Sequence, residues 1–178
     1  CYSGNLGHSQ NLQLLINVAK TVKETMPDIV FVLIGEGAAK QALELEIAKK
    51  NIKNVIILPF QPYEDIAHVF SLGDVGLIIS KPGIGGSSVP SKTWGIMAAS
   101  KPVLASFDCD SNLSRLLETT QTGVVANASD EKALISAISK FYSDSNYKLK
   151  IGRNGYNYVH RDLNKDKCTQ KYVDVLKN

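Results

Sequence analysis

The chain is poor in cysteine and contains no long apolar run. Its cysteines, Cys1, Cys109 and Cys168, are odd in number and lack metal-ligand spacing, so we expect neither a disulfide framework nor a zinc site. No apolar run approaches the roughly 20 residues that span a bilayer, and the first residues lack the basic and apolar regions of a signal peptide. These absences predict a protein of the reducing cytoplasm.

An excess of charge of either sign is missing as well. The chain has 20 Lys and Arg against 17 Asp and Glu, a net charge of +3, and these charges are scattered along the sequence. A nucleic-acid-binding domain concentrates basic residues on one surface. We therefore expect no nucleic-acid partner.

Several common catalytic and cofactor motifs are absent. The chain has no Gly-x-Ser-x-Gly elbow, and Gly86–Lys92 lacks the glycine that precedes the lysine of a Walker loop. Gly4–His8 lacks the third glycine of the dinucleotide fingerprint, which disfavours a nicotinamide cofactor. Asp108 and Asp110 could act as paired carboxylates, but Asp110–Asn112 reads more simply as a helix-capping turn. The sequence identifies no catalytic residue.

Apolar runs and helical patterns, in contrast, alternate along most of the chain. The runs are continuously apolar, which is typical of strands covered on both faces of a parallel sheet. After a first strand that ends near Ser3, they cover residues 29–34, 55–58, 75–79, 102–105 and 123–126. The pattern predicts an α/β fold, a Rossmann-like doubly wound parallel sheet of about six strands with helices on both faces.

The domain organisation follows from the same pattern. Residues 1–178 are enough for one domain with a single core. From about Asp144 onward no strand pattern is present, so we expect a C-terminal tail of two helices that are interrupted near Asp162 to Lys165. Cys1–Gly4 reads as the end of a core strand, so we expect an upstream segment, in the form of another domain, in the full protein.

The segment Gly85–Lys92 carries the strongest chemical signal. It contains two glycines, three serines and a lysine, it follows an apolar run, and it leads into a helical pattern. We expect Pro90 in the first helical turn and Lys92 beside unpaired helix amides, an arrangement that would cradle a phosphate. The alternative is a flexible turn in which Ser88 or Ser91 caps the helix. Ligands of such sheets bind beyond the carboxyl ends of the strands, which favours the phosphate cradle.

The loop Gly4–His8 follows the first strand and should lie at the same edge of the sheet. Its glycines would let the backbone approach a sugar or phosphate, although an ordinary turn explains them too. The imidazole of His8 could donate to a phosphate or a sugar hydroxyl, but a histidine at a helix start is also common without a function.

Together these motifs resemble one known family over nearly the whole chain. They are Tyr2–Gly7, Val32–Gly37, Gly73–Leu77, Val89–Lys92, Met97–Ala105 and Gly123–Val125. In this order they resemble the C-terminal, donor-binding half of a GT-B glycosyltransferase of family 4. The similarity is greatest to the bacterial surface-polysaccharide (WbuB-like) type.

The resemblance implies a function for the full protein. It would transfer a sugar, with retention of configuration and without metal or cofactor, from a nucleotide-diphospho-sugar, a UDP-sugar, to a glycan or lipid-linked acceptor. An N-terminal domain, absent here, would bind the acceptor, so the isolated chain would bind the donor without turnover. The enzyme would be cytoplasmic, with peripheral contact to the inner face of the membrane in the full-length protein.

The resemblance and the loops also define a donor site. Its residues are Gly4, Asn5, Gly7, His8, Gly35, Glu36, Gly37, Phe60, Gln61, Pro62, Gly86, Ser87, Ser88, Pro90, Ser91 and Lys92. Gly4, Asn5 and Gly7 would face the diphosphate and sugar. The loops Gly35–Gly37 and Phe60–Pro62 would border the base, and Ser88 and Lys92 would approach the phosphates.

The chain departs from the family in its carboxylates. The two glutamates that commonly contact the donor sugar and the ribose align with Ser87 and Gly95. The family's Arg and Lys pair is not evident either, which leaves Lys81 and Lys92 as candidate cations. These losses leave an alternative open, a degenerate nucleotide-binding or interaction module without transferase activity.

Overall fold

The computed structural model describes residues 1–86 and 88–177. The strands within these ranges are β1 (Tyr2–Ser3), β2 (Phe31–Ile34), β3 (Val55–Leu58), β4 (Gly76–Ile79), β5 (Val103–Phe107) and β6 (Gly123–Asn127). The helices are α1 (Leu12–Thr25), α2 (Lys40–Lys49), α3 (Ile66–Leu72), α4 (Lys92–Ala98), α5 (Asn112–Thr120), α6 (Glu131–Ser143), α7 (Ser145–Asp162) and α8 (Lys165–Leu176). Short 3-10 helices cover His8–Gln10 and Tyr63–Asp65. The predicted alternation of strands and helices is confirmed.

The strands pair in parallel, as predicted, but they form two three-stranded sheets in the orders β1-β2-β3 and β4-β5-β6. Cys1 bridges the two: its amino group donates to Val75 O at 2.7 Å, and Leu77 N donates to Cys1 O at 2.8 Å. β1 is too short to form a longer ladder with β4, which corrects the expectation of one continuous sheet. Across this junction the strands run β3-β2-β1-β4-β5-β6, the order of a doubly wound fold.

Both faces of the strands are covered by apolar side chains. On β5, Leu104 belongs to a core cluster with Leu15 of α1 and Leu134 of α6. Its neighbour Val103 belongs to a second cluster with Met97 of α4. Because successive side chains of a strand point to opposite faces, helices must cover both sides of the sheet.

The chain after β6 is helical, as predicted, and α7 ends and α8 begins at the expected interruption. Two glycines bring α7 directly against the end of α4. A Cβ on Gly152 would lie 2.2 Å from Ser100 O, and one on Gly155 would lie 3.1 Å from Met97 Cγ. None of the helices in the described ranges is both long and apolar enough to span a bilayer.

Candidate functional site

The loops after β1 and β2 pack on each other through their backbones. Gly4 N donates to Ile34 O at 2.9 Å, and Leu6 N donates to Glu36 O at 2.8 Å. A Cβ on Gly35 would lie 1.9 Å from Gly4 O, a distance at which no side chain fits. Glycine at position 35 is therefore what allows the two loops to form one continuous backbone surface.

Lys92 reaches this surface from the start of α4. Its Nζ lies 2.7 Å from the position that a Cβ on Gly4 would occupy, and Gly4 itself has a φ of +143°. The same Nζ lies 3.9 Å from the centroid of the Tyr2 ring. Gly4 thus makes room for an ammonium group at the carboxyl end of β1.

The ammonium of Lys92 has no carboxylate within ion-pair distance among the residues that the structure describes. Burial lowers the pKa of Lys92 to about 8. A partly buried cation that lacks an anionic partner is costly, so such a group is a strong candidate for binding an anion.

Asn5, Gly7 and Gly37 complete the surface around Gly4. The side-chain amide of Asn5 lies over both glycines: a Cβ on Gly37 would be 2.5 Å from Asn5 Oδ1, and one on Gly7 would be 2.8 Å from Asn5 Nδ2. His8 is exposed on the 3-10 turn that follows. The structure therefore places the predicted residues of the first two loops together.

The loop after β4 is held against the same region. Lys81 N donates to Ser9 O at 2.9 Å, which links the loops after β4 and β1. Further along, Gly83 N and Gly85 N donate to the carboxylate of Asp108, at 3.0 and 3.3 Å to Oδ2. Asp108 follows β5 and acts as an anchor for this loop, a role that the sequence analysis missed.

The capping turn at the start of α5 is confirmed, but its capping residue is Ser111, whose Oγ accepts from Ser114 N at 3.2 Å. A carboxylate directly after a buried strand, opposite a glycine-rich loop, is the sequence signal that could have identified Asp108 as an anchor. Asp110 contributes its carbonyl, which accepts from the guanidinium of Arg115.

The segment that leads into α4 differs in part from expectation. Pro90 lies before the helix, whose first residue is Lys92, so its predicted place in the first helical turn is wrong. Thr93 N donates to Pro90 O at 3.0 Å, a tight turn in front of the helix. Ser91 occupies the N-cap position without a side-chain bond, and Ser88 Oγ donates to Gly85 O at 3.2 Å instead of capping.

Gly86 and Ser88 are exposed next to this turn. Ser87, one of the predicted donor residues and the position of a family glutamate, lies outside the described residues.

Gly95, which aligns with the second glutamate of the resembled family, packs closely against Phe70. A Cβ on Gly95 would lie 2.4 Å from Cε2 of Phe70. The aromatic ring of α3 thus fills the space next to α4 that a longer side chain at position 95 would require.

The remaining predicted residues follow β2 and β3. Glu36 is exposed and pairs with Lys40 at 2.7 Å. Phe60, Gln61 and Pro62 lie on the exposed loop after β3, where Gln61 Nε2 donates to Pro59 O at 2.9 Å. This loop follows β3, which is separated from β1 by β2 in the strand order.

A polar cavity of about 590 Å³ lies beside the loops after β4 and β5, and Gly83, Gly86, Asp108, Asp110, Asn112 and Arg115 line it. Another cavity, of about 610 Å³, lies away from the loops around Lys92, and most of its lining residues are apolar, among them Phe31, Ile56 and Phe141. Because ligands of doubly wound sheets bind at the carboxyl ends of the strands, we assign the candidate site to the loops around Lys92. Within the described ranges, no group of three His, Cys, Asp or Glu could hold a metal ion.

Comparison with known proteins gives matches over most of the chain. A family model described as "Glycosyl transferases group 1" matches residues 1–158. WcaI of Escherichia coli (strain K12), which carries the name colanic acid biosynthesis glycosyl transferase, is 24% identical over 177 residues. This alignment covers 99% of the chain and 42% of WcaI, so the chain spans less than half of that relative.

Solved structures show the same fold. The crystal structure of Anabaena HepE in complex with UDP matches with a TM-score of 0.84 and 16% identity, over 99% of this chain and 47% of HepE. The C-terminal domain of LpcC, a glycosyl transferase group 1 family protein from Francisella tularensis, matches with a TM-score of 0.72 and 21% identity. That match covers 92% of this chain and 86% of the LpcC domain.

Proposed function

The chain belongs to the group 1 glycosyl transferases, and from that premise we propose that it binds the nucleotide-diphospho-sugar donor of a retaining glycosyltransferase. The resemblance to the C-terminal half of a GT-B enzyme is confirmed by the family match and by the LpcC domain. The observation that supports a donor site is the ammonium of Lys92, which is partly buried beside Gly4 and has no anionic partner among the residues that the structure describes.

Lys92 would contact the diphosphate, and the backbone surface of Gly4, Gly35 and Gly37 would lie close to it. During transfer, the bond between sugar C1 and the phosphate oxygen breaks, and the diphosphate leaves with the electron pair. The acceptor oxygen forms the new bond to C1, and its proton passes to the departing diphosphate. A fixed cation beside that group stabilises the negative charge that develops on it.

We propose a UDP-sugar as the donor, because HepE has been crystallised with UDP and shares this fold. Asn5, Gly7 and His8 would border the sugar, and the loops at Gly35–Gly37 and Phe60–Pro62 would border the base. No metal or cofactor takes part in this proposal.

The acceptor belongs to a second domain in this proposal, an N-terminal one, and is a glycan or a lipid-linked glycan. The name of WcaI, which refers to colanic acid biosynthesis, supports a role in surface polysaccharide synthesis. We place the enzyme in the cytoplasm, in peripheral contact with the inner face of the membrane.

One observation favours the second candidate function, a degenerate nucleotide-binding or interaction module. Gly95 carries no carboxylate, and the ring of Phe70 occupies the adjacent space, so the ribose contact of the family cannot form there. If the protein is such a module, the Lys92 ammonium has no diphosphate to bind.

Calorimetry of the chain with UDP, UDP-sugars, GDP-sugars and NAD tests these functions. We expect heat from UDP and UDP-sugars and none from NAD; absence of heat with every nucleotide sugar at millimolar concentration would exclude donor binding.

In the full-length enzyme, Lys92→Ala should lower transfer about tenfold or more, the loss expected for a fixed cation at the departing group. Lys132→Ala, an exposed lysine of α6, is the matched control. Unchanged transfer by a folded Lys92→Ala variant would show that Lys92 does not contact the diphosphate, and a wild-type enzyme that transfers no sugar would favour the interaction module.

A further inference from the structure

We propose that Tyr2 is a positioning residue that sets the place of both the Lys92 ammonium and the Gly4–Gly7 loop. The inference rests on the proposed donor site at Lys92. Tyr2 has two separate contacts with that site: Nζ of Lys92 lies 3.9 Å from its ring centroid, and its hydroxyl donates to Asn5 O at 2.7 Å.

Tyr2 is itself held firmly. It is 1% exposed, lies in β1, and pairs in register with Leu33 of β2. The strand backbone and the core around the ring therefore fix its position before any ligand binds. A rigid aromatic side chain with few torsions is well suited to fix the position of a neighbour.

The ammonium of Lys92 stays in one place only if a neighbouring group holds it there. A lysine side chain has a flexible four-carbon stem and a strongly hydrated ammonium, which turns to water when nothing holds it. A cation within about 6 Å of an aromatic ring centroid is attracted to the negative face of the ring. Since Lys92 has no ion pair among the described residues, the ring of Tyr2 is the contact that keeps its Nζ beside Gly4.

The hydroxyl of Tyr2 acts on the other half of the site. It holds the carbonyl of Asn5, and it would lie 3.7 Å from a Cβ on Gly4. One ring therefore sets the distance between the ammonium and the loop. A nucleoside diphosphate that contacts both would find them already arranged, which lowers the cost of binding.

UDP calorimetry on four variants separates the ring from the hydroxyl. Tyr2→Leu removes both, Tyr2→Phe keeps the ring, Lys92→Met removes the cation, and the double variant combines Tyr2→Leu with Lys92→Met. We expect Tyr2→Leu to weaken UDP binding about threefold to thirtyfold. Tyr2→Phe should lose less affinity, and in the Lys92→Met background Tyr2→Leu should lose no more than the loop contact accounts for.

A direct measurement on the ligand-free protein keeps the two proposals apart. NMR titration of Lys92 should show its pKa rising toward the ordinary lysine value in Tyr2→Leu, because the released ammonium reaches water, and staying low in Tyr2→Phe. The Tyr2 hydroxyl does not titrate in this range, since burial raises its pKa. If Tyr2→Leu does not fold, Tyr2→Met serves in its place.

Each outcome is decisive. If the wild-type chain binds no UDP, the donor site fails, whereas the NMR titration still tests what Tyr2 does to Lys92. If UDP binds but Tyr2→Leu and Tyr2→Phe have equal affinity and equal Lys92 pKa, the positioning role is overturned. If Tyr2→Leu weakens UDP equally with and without Lys92, the effect is a general structural one and the proposal is also wrong.

Discussion

The ring of Phe70 and the backbone of Gly95 are complementary in shape: a Cβ on Gly95 would lie 2.4 Å from Phe70 Cε2. Helices α3 and α4 approach closely at this point, and the ring of Phe70 occupies the space that a side chain at position 95 would need. A carboxylate at this position, which the resemblance to the family leads one to expect, would have to displace the ring.

Gly95→Glu should destabilise the protein by roughly 1–3 kcal/mol, because overpacking forces Phe70 away from α4. Combined with Phe70→Ala, the cost should be smaller than the sum of the two single changes. Urea unfolding measures both. Ala98→Glu, at an exposed position of the same helix, is the matched control and should leave stability nearly unchanged. A Gly95→Glu variant as stable as the control would show that Phe70 moves aside without cost.

Lys92→Met should weaken UDP binding about tenfold or more, since the diphosphate loses its cation in a partly desolvated place. Lys92→Arg keeps the charge but spreads it over a larger, planar guanidinium, so its affinity should be intermediate. Isothermal titration at one salt concentration gives both affinities, with Lys132→Met as the exposed control. Equal affinities of wild type and Lys92→Met would assign the diphosphate to other residues.

The stability of the protein should also depend on the charge of Lys92. Its pKa falls from 10.5 to about 8 through burial. Between these values the unfolded chain binds more protons than the folded one, so the free energy of unfolding contributed by this group rises with pH from about 8 to about 10.5. The difference between wild type and Lys92→Met, measured by urea unfolding at several pH values, isolates this contribution from other lysines. A difference that is constant with pH would contradict the burial of the ammonium.

Asp108→Ala should loosen the loop after β4. Its carboxylate accepts from Gly83 N and Gly85 N, and leaving those amides without a charged acceptor costs roughly 1–3 kcal/mol of local stability. Hydrogen exchange of the peptide that contains Gly83 and Gly85 should become faster, while the core strands keep their protection. Asp110→Ala should leave this peptide unchanged, because the hydrogen bond from Arg115 goes to the backbone carbonyl of Asp110, which the substitution keeps.

The strands were predictable because they are short, apolar and buried on both faces. The boundaries of the strands were less predictable: residues 29–34 form one apolar run in the sequence, yet β2 begins at Phe31. Ile29 N donates to Met26 O at 3.1 Å and closes a turn, and Val30 is 51% exposed, so both residues lie outside the strand in spite of their apolar character. Hydropathy alone does not reveal which backbone groups join a ladder.

The candidate site was predictable as a set of loops, since parallel strands bring their carboxyl ends to one edge. The side-chain contacts within and around the site were not predictable from the sequence. The ring of Tyr2 beneath Lys92, the carboxylate of Asp108 beneath Gly83, and Phe70 against Gly95 all join residues far apart in sequence. Such pairs depend on the crossing of whole elements, which a local pattern does not encode.

The glycine contacts between α7 and α4 give the tail helix a mechanical role. Gly152 lies directly against the backbone at Ser100 and Gly155 against Met97, and close-packed interiors have low compressibility. The contacts lie at the end of α4 opposite Lys92, the first residue of the helix. The place of α7 therefore helps to fix the direction of α4, and with it the place from which Lys92 extends.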